Sequence, residues 1–158
     1  MLCAKRVRMH HMSSPNAPFW EEKSLSELTR DEWESLCDGC AKCCLHRLED
    51  EDTAEIYFTN VHCRLLDTDT GRCTDYKNRS TRVSDCVTIT LDTLVDPYWL
   101  PKTCSYRLLA EGKPLPQWHP LITGDPDSVI GAGMRVCDRT ICEDEADNLE
   151  CHLIDWLE

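Results

Sequence analysis

The chain has 158 residues, including 12 cysteines, and its formal net charge is −12. Leu, Ile, Val and Phe together make about a fifth of the residues, which is close to the composition of chains that cannot fold by apolar burial alone. The length predicts a single domain. No segment approaches the roughly 20 apolar residues of a membrane span, and the acidic surface would repel nucleic-acid phosphates, so neither partner is expected.

Residues 1–18 are polar and are predicted to form a disordered tail. The start of this tail is basic but lacks the apolar run of a secretory signal, so we expect a cytoplasmic location. Thiols stay reduced in the cytoplasm. A dense cysteine pattern there indicates metal binding or catalysis rather than a disulfide framework.

Two helix-start signals follow the tail. Residues 24–27 and 29–32 both have the spacing of a capping box, in which the first and last residues bond to each other's backbone. The second signal predicts a short helix that ends near Cys37, and Gly39 allows a sharp turn directly after it.

The rest of the chain is predicted to alternate short strands and short helices. The expected elements are a strand at 56–61, a turn at 67–71, a strand at 86–91, a helix at 104–111, a strand-like stretch at 130–136 and a terminal helix within 143–158. The predicted fold class is therefore α+β: a small, loop-rich single domain that depends on its cysteines and a metal.

Four cysteines within eight positions form the most informative motif. Cys37, Cys40 and Cys43 follow a Cys-x2-Cys-x2-Cys spacing, and Cys44 is adjacent. A two-residue gap lets the backbone turn tightly, so that consecutive sulfurs converge on one point, as in zinc knuckles and iron–sulfur loops. Clustered thiols without a cation would repel one another once ionised and would be prone to oxidation.

An ordinary structural zinc site matches this pattern poorly. Such sites generally use two close cysteine pairs, whereas here the close spacing occurs once and the later cysteines are single. An irregular or multinuclear zinc–thiolate site is still compatible with the sequence.

An iron–sulfur site matches better. Three closely spaced cysteines with one remote cysteine are typical of bacterial [4Fe–4S] ligation, and Cys104 or Cys63 could supply the fourth ligand. Adjacent side chains are expected to diverge, so Cys43 and Cys44 would not serve one metal equally. One of them could bind a second metal or be a free thiol.

The histidines add little to the predicted site. His46 is more often a surface residue than a ligand in such a position, and His119 between Trp118 and Pro120 is expected to pack rather than to catalyse. His62 would point away from Cys63 in an extended segment.

The pattern resembles the YkgJ-type CxxCxxCC family, a zinc- or iron-chelating domain, and more closely its YcgN-like subfamily of small bacterial proteins. The resemblance rests on Glu32-Trp-Glu-Ser-Leu-Cys-Asp-Gly-Cys40, Glu55-Ile-Tyr-Phe-Thr-Asn-Val61 and Thr103-Cys-Ser-Tyr-Arg-Leu-Leu-Ala-Glu-Gly-Lys113, with further matches within residues 18–125. It implies metal chelation by eight cysteines: Cys37, Cys40, Cys43, Cys44, Cys63, Cys73, Cys86 and Cys104. It gives no role to Cys3, Cys137, Cys142 or Cys151. The expected organisation is a tail at 1–18, the metal-chelating domain at 19–125 and an acidic extension at 126–158.

Three functions are compatible with these observations. The first is a cytoplasmic metal–thiolate protein that holds an iron–sulfur cluster or zinc, with an electron-transfer or other protein partner. The second is a metal-dependent enzyme of redox or methyl-transfer type, with a pocket lined by Trp99, Tyr106, Trp118 and His119. The third is a structural zinc module that mediates protein–protein contacts.

Overall fold

The computed structural model describes residues 17–157, and the regular elements in this range are short. The helices are α1 Phe19–Glu22, α2 Arg30–Ser35, α3 Arg79–Arg82, α4 Ser105–Ala110, α5 Pro120–Thr123 and α6 Ser128–Gly131. The strands are β1 Leu45–Glu49, β2 Ile56–His62, β3 Leu66–Asp67, β4 Arg72–Cys73 and β5 Ile141–Cys142. The predicted class, a small α+β protein with short helices and strands, is confirmed.

Both predicted capping boxes are present. Thr29 accepts a hydrogen bond from the Glu32 amide at 3.3 Å, and the Glu32 carboxylate accepts one from the Thr29 amide at 2.8 Å. The same reciprocal bonds join Ser24 and Glu27. These caps fix the start of α2, and the helix ends at Ser35, directly before the cysteine-rich loop.

The main sheet has three strands in the order β1-β2-β5. Strands β1 and β2 are antiparallel, whereas β5 pairs in parallel with β2 through Val61 and Ile141. The strand predicted at 56–61 is confirmed as β2. The turn predicted at 67–71 is confirmed as the link between β3 and β4, which form a separate two-stranded hairpin.

Two hydrophobic cores support the fold. The first contains Ala41, Leu45, Leu66, Val136, Cys137 and Leu157. The second contains Leu36, Leu94, Leu100 and Tyr106, surrounded by partly buried aromatic residues that include Trp20 and Trp33. Leu36 belongs to one core and Ala41 to the other, so the loop between them crosses from one core to the other.

The strand predicted at 86–91 is wrong. Residues 86–90 have no regular secondary structure and a turn begins at Leu91, while threonine side chains bond to nearby backbone instead of a neighbouring strand. Thr93 Oγ1 accepts from the Thr90 amide at 2.8 Å and lies 3.4 Å from the Thr88 carbonyl oxygen. The alternating pattern in this segment is therefore not accompanied by strand pairing.

Two predictions for the carboxyl-terminal part are also wrong. The strand-like stretch at 130–136 begins inside α6 and continues through a left-handed Gly133, whose φ of +69° ends the helix. The terminal helix is replaced by two 3₁₀ turns, Glu143–Glu145 and Leu149–His152. The helix predicted at 104–111 is confirmed as α4.

None of the helices within residues 17–157 is long and apolar enough to cross a membrane. Most of the predicted tail at 1–18 lies outside the described residues, and so does Cys3. Residues after 126 are integrated with the rest of the chain, since β5 joins the main sheet and Val136 and Leu157 belong to the first core.

Candidate metal centre

Residues 37–44, called here the cysteine loop, turn back on themselves at two left-handed positions. Gly39 has a φ of +76° and Ala41 a φ of +63°. Glycine accepts this conformation without steric cost, whereas alanine does so at a cost of roughly 1 kcal/mol. The Asp38 carboxylate stabilises the turn by accepting a hydrogen bond from the Cys40 amide at 3.0 Å.

Contacts from distant segments hold the cysteine loop in place. The buried His119 ring bonds through Nε2 to the Leu36 carbonyl oxygen at 3.0 Å. The Val136 amide donates to the Cys40 carbonyl oxygen at 3.1 Å. Gly39 and Gly71 approach so closely that a Cβ atom on Gly71 would lie 2.9 Å from the Gly39 carbonyl oxygen. The loop is therefore fixed from three sides.

Four thiols gather around this loop. Cys37, Cys40, Cys43 and Cys104, called here the loop thiols, are close enough for the charge of Cys43 to raise the pKa of each of the other three. Cys37 and Cys43 keep exposed surface although protein atoms surround them closely, whereas Cys40 is buried. The helix start at α4 brings in Cys104 as the residue that precedes Ser105.

Desolvation is the main cause of the pKa shifts at three of these thiols. It raises the pKa of Cys37 to about 11 and that of Cys104 to about 12, and the charge of Cys43 adds to both. Desolvation and then the neighbouring Asp38 raise the pKa of Cys40 well above its usual value. Without a cation, these groups are therefore neutral thiols at neutral pH.

Cys43 and Cys44 end the cysteine loop in the 3₁₀ turn Lys42–Cys44. The neighbouring Cys44 thiol, followed by desolvation, raises the pKa of Cys43 well above its usual value. The divergence of these two side chains stays a prediction.

A second group consists of Cys63, Cys73 and Cys86, called here the hairpin thiols. The charges of Cys86 and Cys73 contribute to a raised pKa at Cys63, for which desolvation is the largest cause. Desolvation likewise raises the pKa of Cys86, although Arg79 opposes the rise. Cys43 also acts on the pKa of Cys86, so the two thiol groups adjoin.

Backbone contacts explain how the hairpin thiols meet. The Cys63 amide donates to the Cys44 carbonyl oxygen at 3.0 Å, which fastens the cysteine loop to the start of the β3–β4 hairpin. Cys73 lies opposite Leu66 in that hairpin. The Arg64 guanidinium donates to the Arg82 carbonyl oxygen at 2.8 Å and brings the segment before Cys86 to the same side.

The thiols are neighbours but are not arranged as a finished metal site. Within residues 17–157, no three His, Cys, Asp or Glu side chains have a geometry that could hold a metal ion. None of the 11 described cysteines is in a disulfide. The donor chemistry of the two thiol groups fits zinc or iron, and binding would require the sulfurs to draw together.

The three remaining described cysteines occupy different parts of the fold, and Cys137 lies in the core against which Cys44 packs. Cys137 is buried in the first core, Cys142 lies in β5 opposite His62, and Cys151 is exposed on a terminal 3₁₀ turn. His62 bonds to Thr140 at 2.9 Å.

A polar cluster that the sequence did not predict is centred on Glu143. One Glu143 oxygen lies 2.7 Å from His46 Nε2, and the other accepts from the Arg64 amide at 2.8 Å. His46 is thus half-buried and paired rather than a plain surface residue. No local sequence signal could reveal this contact, since His46 and Glu143 are 97 positions apart.

Three of the four side chains considered for an enzyme pocket make contacts within the fold: Tyr106, His119 and Trp99. Tyr106 is buried and donates to the Trp33 carbonyl oxygen at 2.8 Å. His119 is fully buried and accepts from the Leu121 amide, so its expected packing role is confirmed. The Arg47 guanidinium lies over the Trp99 ring, with its carbon 5.3 Å from the ring centroid.

Residues 36–105 match the model of the CxxCxxCC family, whose description reads "Putative zinc- or iron-chelating domain". The range runs from Leu36 to the start of α4 and includes all eight cysteines singled out from the sequence. Over this range the chain is therefore similar to a class of cysteine-rich domains that are described as metal-chelating.

Closely similar proteins extend the match to almost the whole chain. A UPF0260 protein of Rhizorhabdus wittichii is 62% identical over 138 residues, which cover 87% of this chain and 94% of that protein. Relatives with the same family name in Parvibaculum lavamentivorans and Gluconobacter oxydans are 56% and 55% identical, each over 92% of this chain and over 96% and 89% of their own lengths. The chain belongs to the UPF0260 family. No solved structure matches it.

Proposed function

We propose that this protein binds iron, as an iron–sulfur cluster, through the loop thiols Cys37, Cys40, Cys43 and Cys104. The observation that carries the proposal is the gathering of a remote thiol, Cys104, against the Cys-x2-Cys-x2-Cys segment. Three closely spaced cysteines with one remote cysteine form the donor set of [4Fe–4S] ligation, and Cys104 supports this assignment better than Cys63 does. A cluster held there would supply one-electron redox chemistry.

The protonation of the loop thiols fits a metal centre. Buried sulfurs that act on one another electrostatically are poor anions in the metal-free chain, as the raised pKa values of Cys37 and Cys40 indicate. A bound cation removes this penalty because thiolates become its ligands and their protons are released. The role of the protein is to hold the sulfurs in a loop that is shielded from solvent and fixed by contacts with distant segments.

The hairpin thiols, together with Cys44, form a second proposed donor set. Cys63 is tied to Cys44 through the backbone, and the charges of Cys73 and Cys86 reach Cys63. Four thiols with this irregular spacing suit a zinc ion or a second cluster. The two sets adjoin through Cys43 and Cys86.

We place this chemistry in the cytoplasm. The described cysteines are all free thiols, and a reducing compartment keeps thiols available as metal ligands.

Single serine variants test the ligand assignment. We expect Cys40→Ser and Cys104→Ser to lower the iron and sulfide content of the anaerobically purified protein, because serine is a poor ligand for iron. Cys151→Ser is the matched control, since Cys151 is exposed and far from both thiol groups in the sequence pattern. Equal metal content in Cys40→Ser and Cys151→Ser would contradict the assignment.

The Cys63→Ser variant separates the two sets. If the loop thiols hold a cluster alone, this variant keeps the brown colour and the acid-labile sulfide of the wild type. Loss of the entire cluster in Cys63→Ser, with retention in Cys104→Ser, would show that Cys63 is the fourth ligand.

A further inference from the structure

The cysteine loop contains a buried lysine. Lys42 lies between Cys40 and Cys43 and is only 2% exposed. Its ammonium group donates to Thr103 Oγ1 at 2.9 Å and to the Leu157 carbonyl oxygen at 2.8 Å, and it lies 3.7 Å from Met134 Sδ. All three partners are electrically neutral.

No carboxylate within residues 17–157 forms an ion pair with Lys42. Asp38, the buried carboxylate of the same loop, accepts instead from the Cys40 amide. Neutral acceptors satisfy the hydrogen bonds of an ammonium group but do not cancel its charge. A buried charge without an ion pair costs several kcal/mol, and a nearby anion would lower that cost.

The position of Lys42 indicates which anion this is. Its ammonium contacts Thr103, the residue before Cys104, while its backbone lies between two other loop thiols. A metal centre with four thiolate ligands has a net negative charge, about −2 for zinc, and iron–sulfur centres held by four thiolates are also anionic. Negative charge would therefore collect at Cys104, the residue next to the Thr103 that accepts from the ammonium group, when metal binds.

We propose that Lys42 is the internal counter-charge of the metal–thiolate centre formed by the loop thiols. This rests on the proposed function. Lys42 acts through the ligands and is a positioning residue: it lowers the cost of collecting thiolate charge in a buried loop. It also ties the loop to the carboxyl-terminal segment through Leu157.

A thermodynamic cycle tests this role. The wild type and Lys42→Met are compared with and without metal, by thermal unfolding and by competition with a chelator of known zinc affinity. We expect metal-free Lys42→Met to unfold at the same temperature as the wild type or higher, because methionine fills the space without a buried charge. We expect its metal affinity to fall by about tenfold or more, because the counter-charge is lost.

A purely structural role predicts a different result. The metal-free and metal-loaded forms of Lys42→Met would then be destabilised equally, and the metal affinity would not change. Thr103→Val is the matched control: it removes one neutral acceptor of the ammonium group but keeps the charge. It should therefore affect unfolding more than metal affinity.

The remaining outcomes are each decisive. If Lys42→Met does not fold, Lys42→Gln repeats the test with a neutral side chain that keeps hydrogen-bond donors. Normal metal affinity in both variants overturns the role of Lys42 while the metal-binding function stands. A wild type that binds no metal overturns both proposals.

Discussion

At the scale of single residues, protonation of the thiols governs the chemistry of this chain. Desolvation raises the pKa of Cys37 from its usual value of 9.0 to about 11 and that of Cys104 to about 12. In the unfolded chain these thiols regain their usual pKa. The folded chain therefore holds their protons more tightly, and metal must displace those protons to bind.

These shifts predict how the stability of the metal-free protein depends on pH. Between pH 9.0 and about 11 the folded state binds more protons than the unfolded state, so the free energy of unfolding falls as the pH rises. Below pH 9.0 these two thiols contribute no such dependence. Thermal unfolding across this range is the measurement.

Lysine and tyrosine also titrate in alkali, so the comparison requires a variant. Cys37→Ser with Cys104→Ser should show a shallower loss of melting temperature between pH 9.0 and about 11 than the wild type. Identical slopes would mean that these thiols are not shifted on folding.

At the scale of elements, the cysteine loop and the β3–β4 hairpin meet through two glycines. A Cβ atom on Gly71 would lie 2.8 Å from Arg135 Nε and 2.9 Å from the Gly39 carbonyl oxygen. The φ of Gly71 is +68°, which alone favours glycine. Gly71 is therefore required for two reasons: its backbone is left-handed, and no side chain fits between it and its neighbours.

Gly71→Ala should destabilise the metal-free protein more than Gly112→Ala. Gly112 has a similar φ of +69°, but no neighbouring atom lies within 4 Å of the position that an alanine Cβ would take there, so it reports the conformational cost alone. The expected difference is about 1–3 kcal/mol in the free energy of unfolding by urea, which is the usual cost of overpacking. Equal losses of unfolding free energy in the two variants would indicate that the cysteine loop and the β3–β4 hairpin separate easily.

Elements encoded by local signals could be predicted from the sequence. Both capping boxes, the strand β2 and the helix α4 follow from residue types at fixed spacings, and the structure confirms them. The eight cysteines could be singled out for the same reason. Their role as ligands stays a prediction.

Elements that depend on distant partners could not be predicted. Strand β5 has only two residues and exists because Ile141 meets Val61, 80 positions away in the printed sequence. The division of the thiols into two groups depends on contacts such as that between the Cys63 amide and the Cys44 carbonyl oxygen. In the sequence, Lys42 resembles an ordinary surface lysine, and only the fold reveals its burial.

At the scale of the whole molecule, the carboxyl-terminal segment completes the support of the cysteine loop. Leu157 is 6% exposed and lies in the first core with Ala41 and Leu45, while its carbonyl oxygen accepts from Lys42. The integrity of the metal centre should therefore depend on residues far outside the cysteine motif.

Leu157→Ala should lower the free energy of unfolding by roughly 2–4 kcal/mol, the usual cost of truncating a buried leucine. It should also reduce metal content, since the loop loses part of its support. Leu153→Ala is the matched control, because Leu153 is 48% exposed and its truncation should cost less than about 0.5 kcal/mol. Similar losses in both variants would contradict the arrangement of the first core.

The most direct test of the metal centre is differential alkylation of the anaerobically purified protein, before and after chelator treatment, with iron, zinc and sulfide analysis of the same sample. Mass spectrometry then identifies which cysteines the metal protects. We predict bound metal and protection of Cys37, Cys40, Cys43 and Cys104 that chelation removes, while the exposed Cys151 reacts in both samples. A folded protein without iron or zinc, or the same alkylation pattern in both samples, would contradict the account.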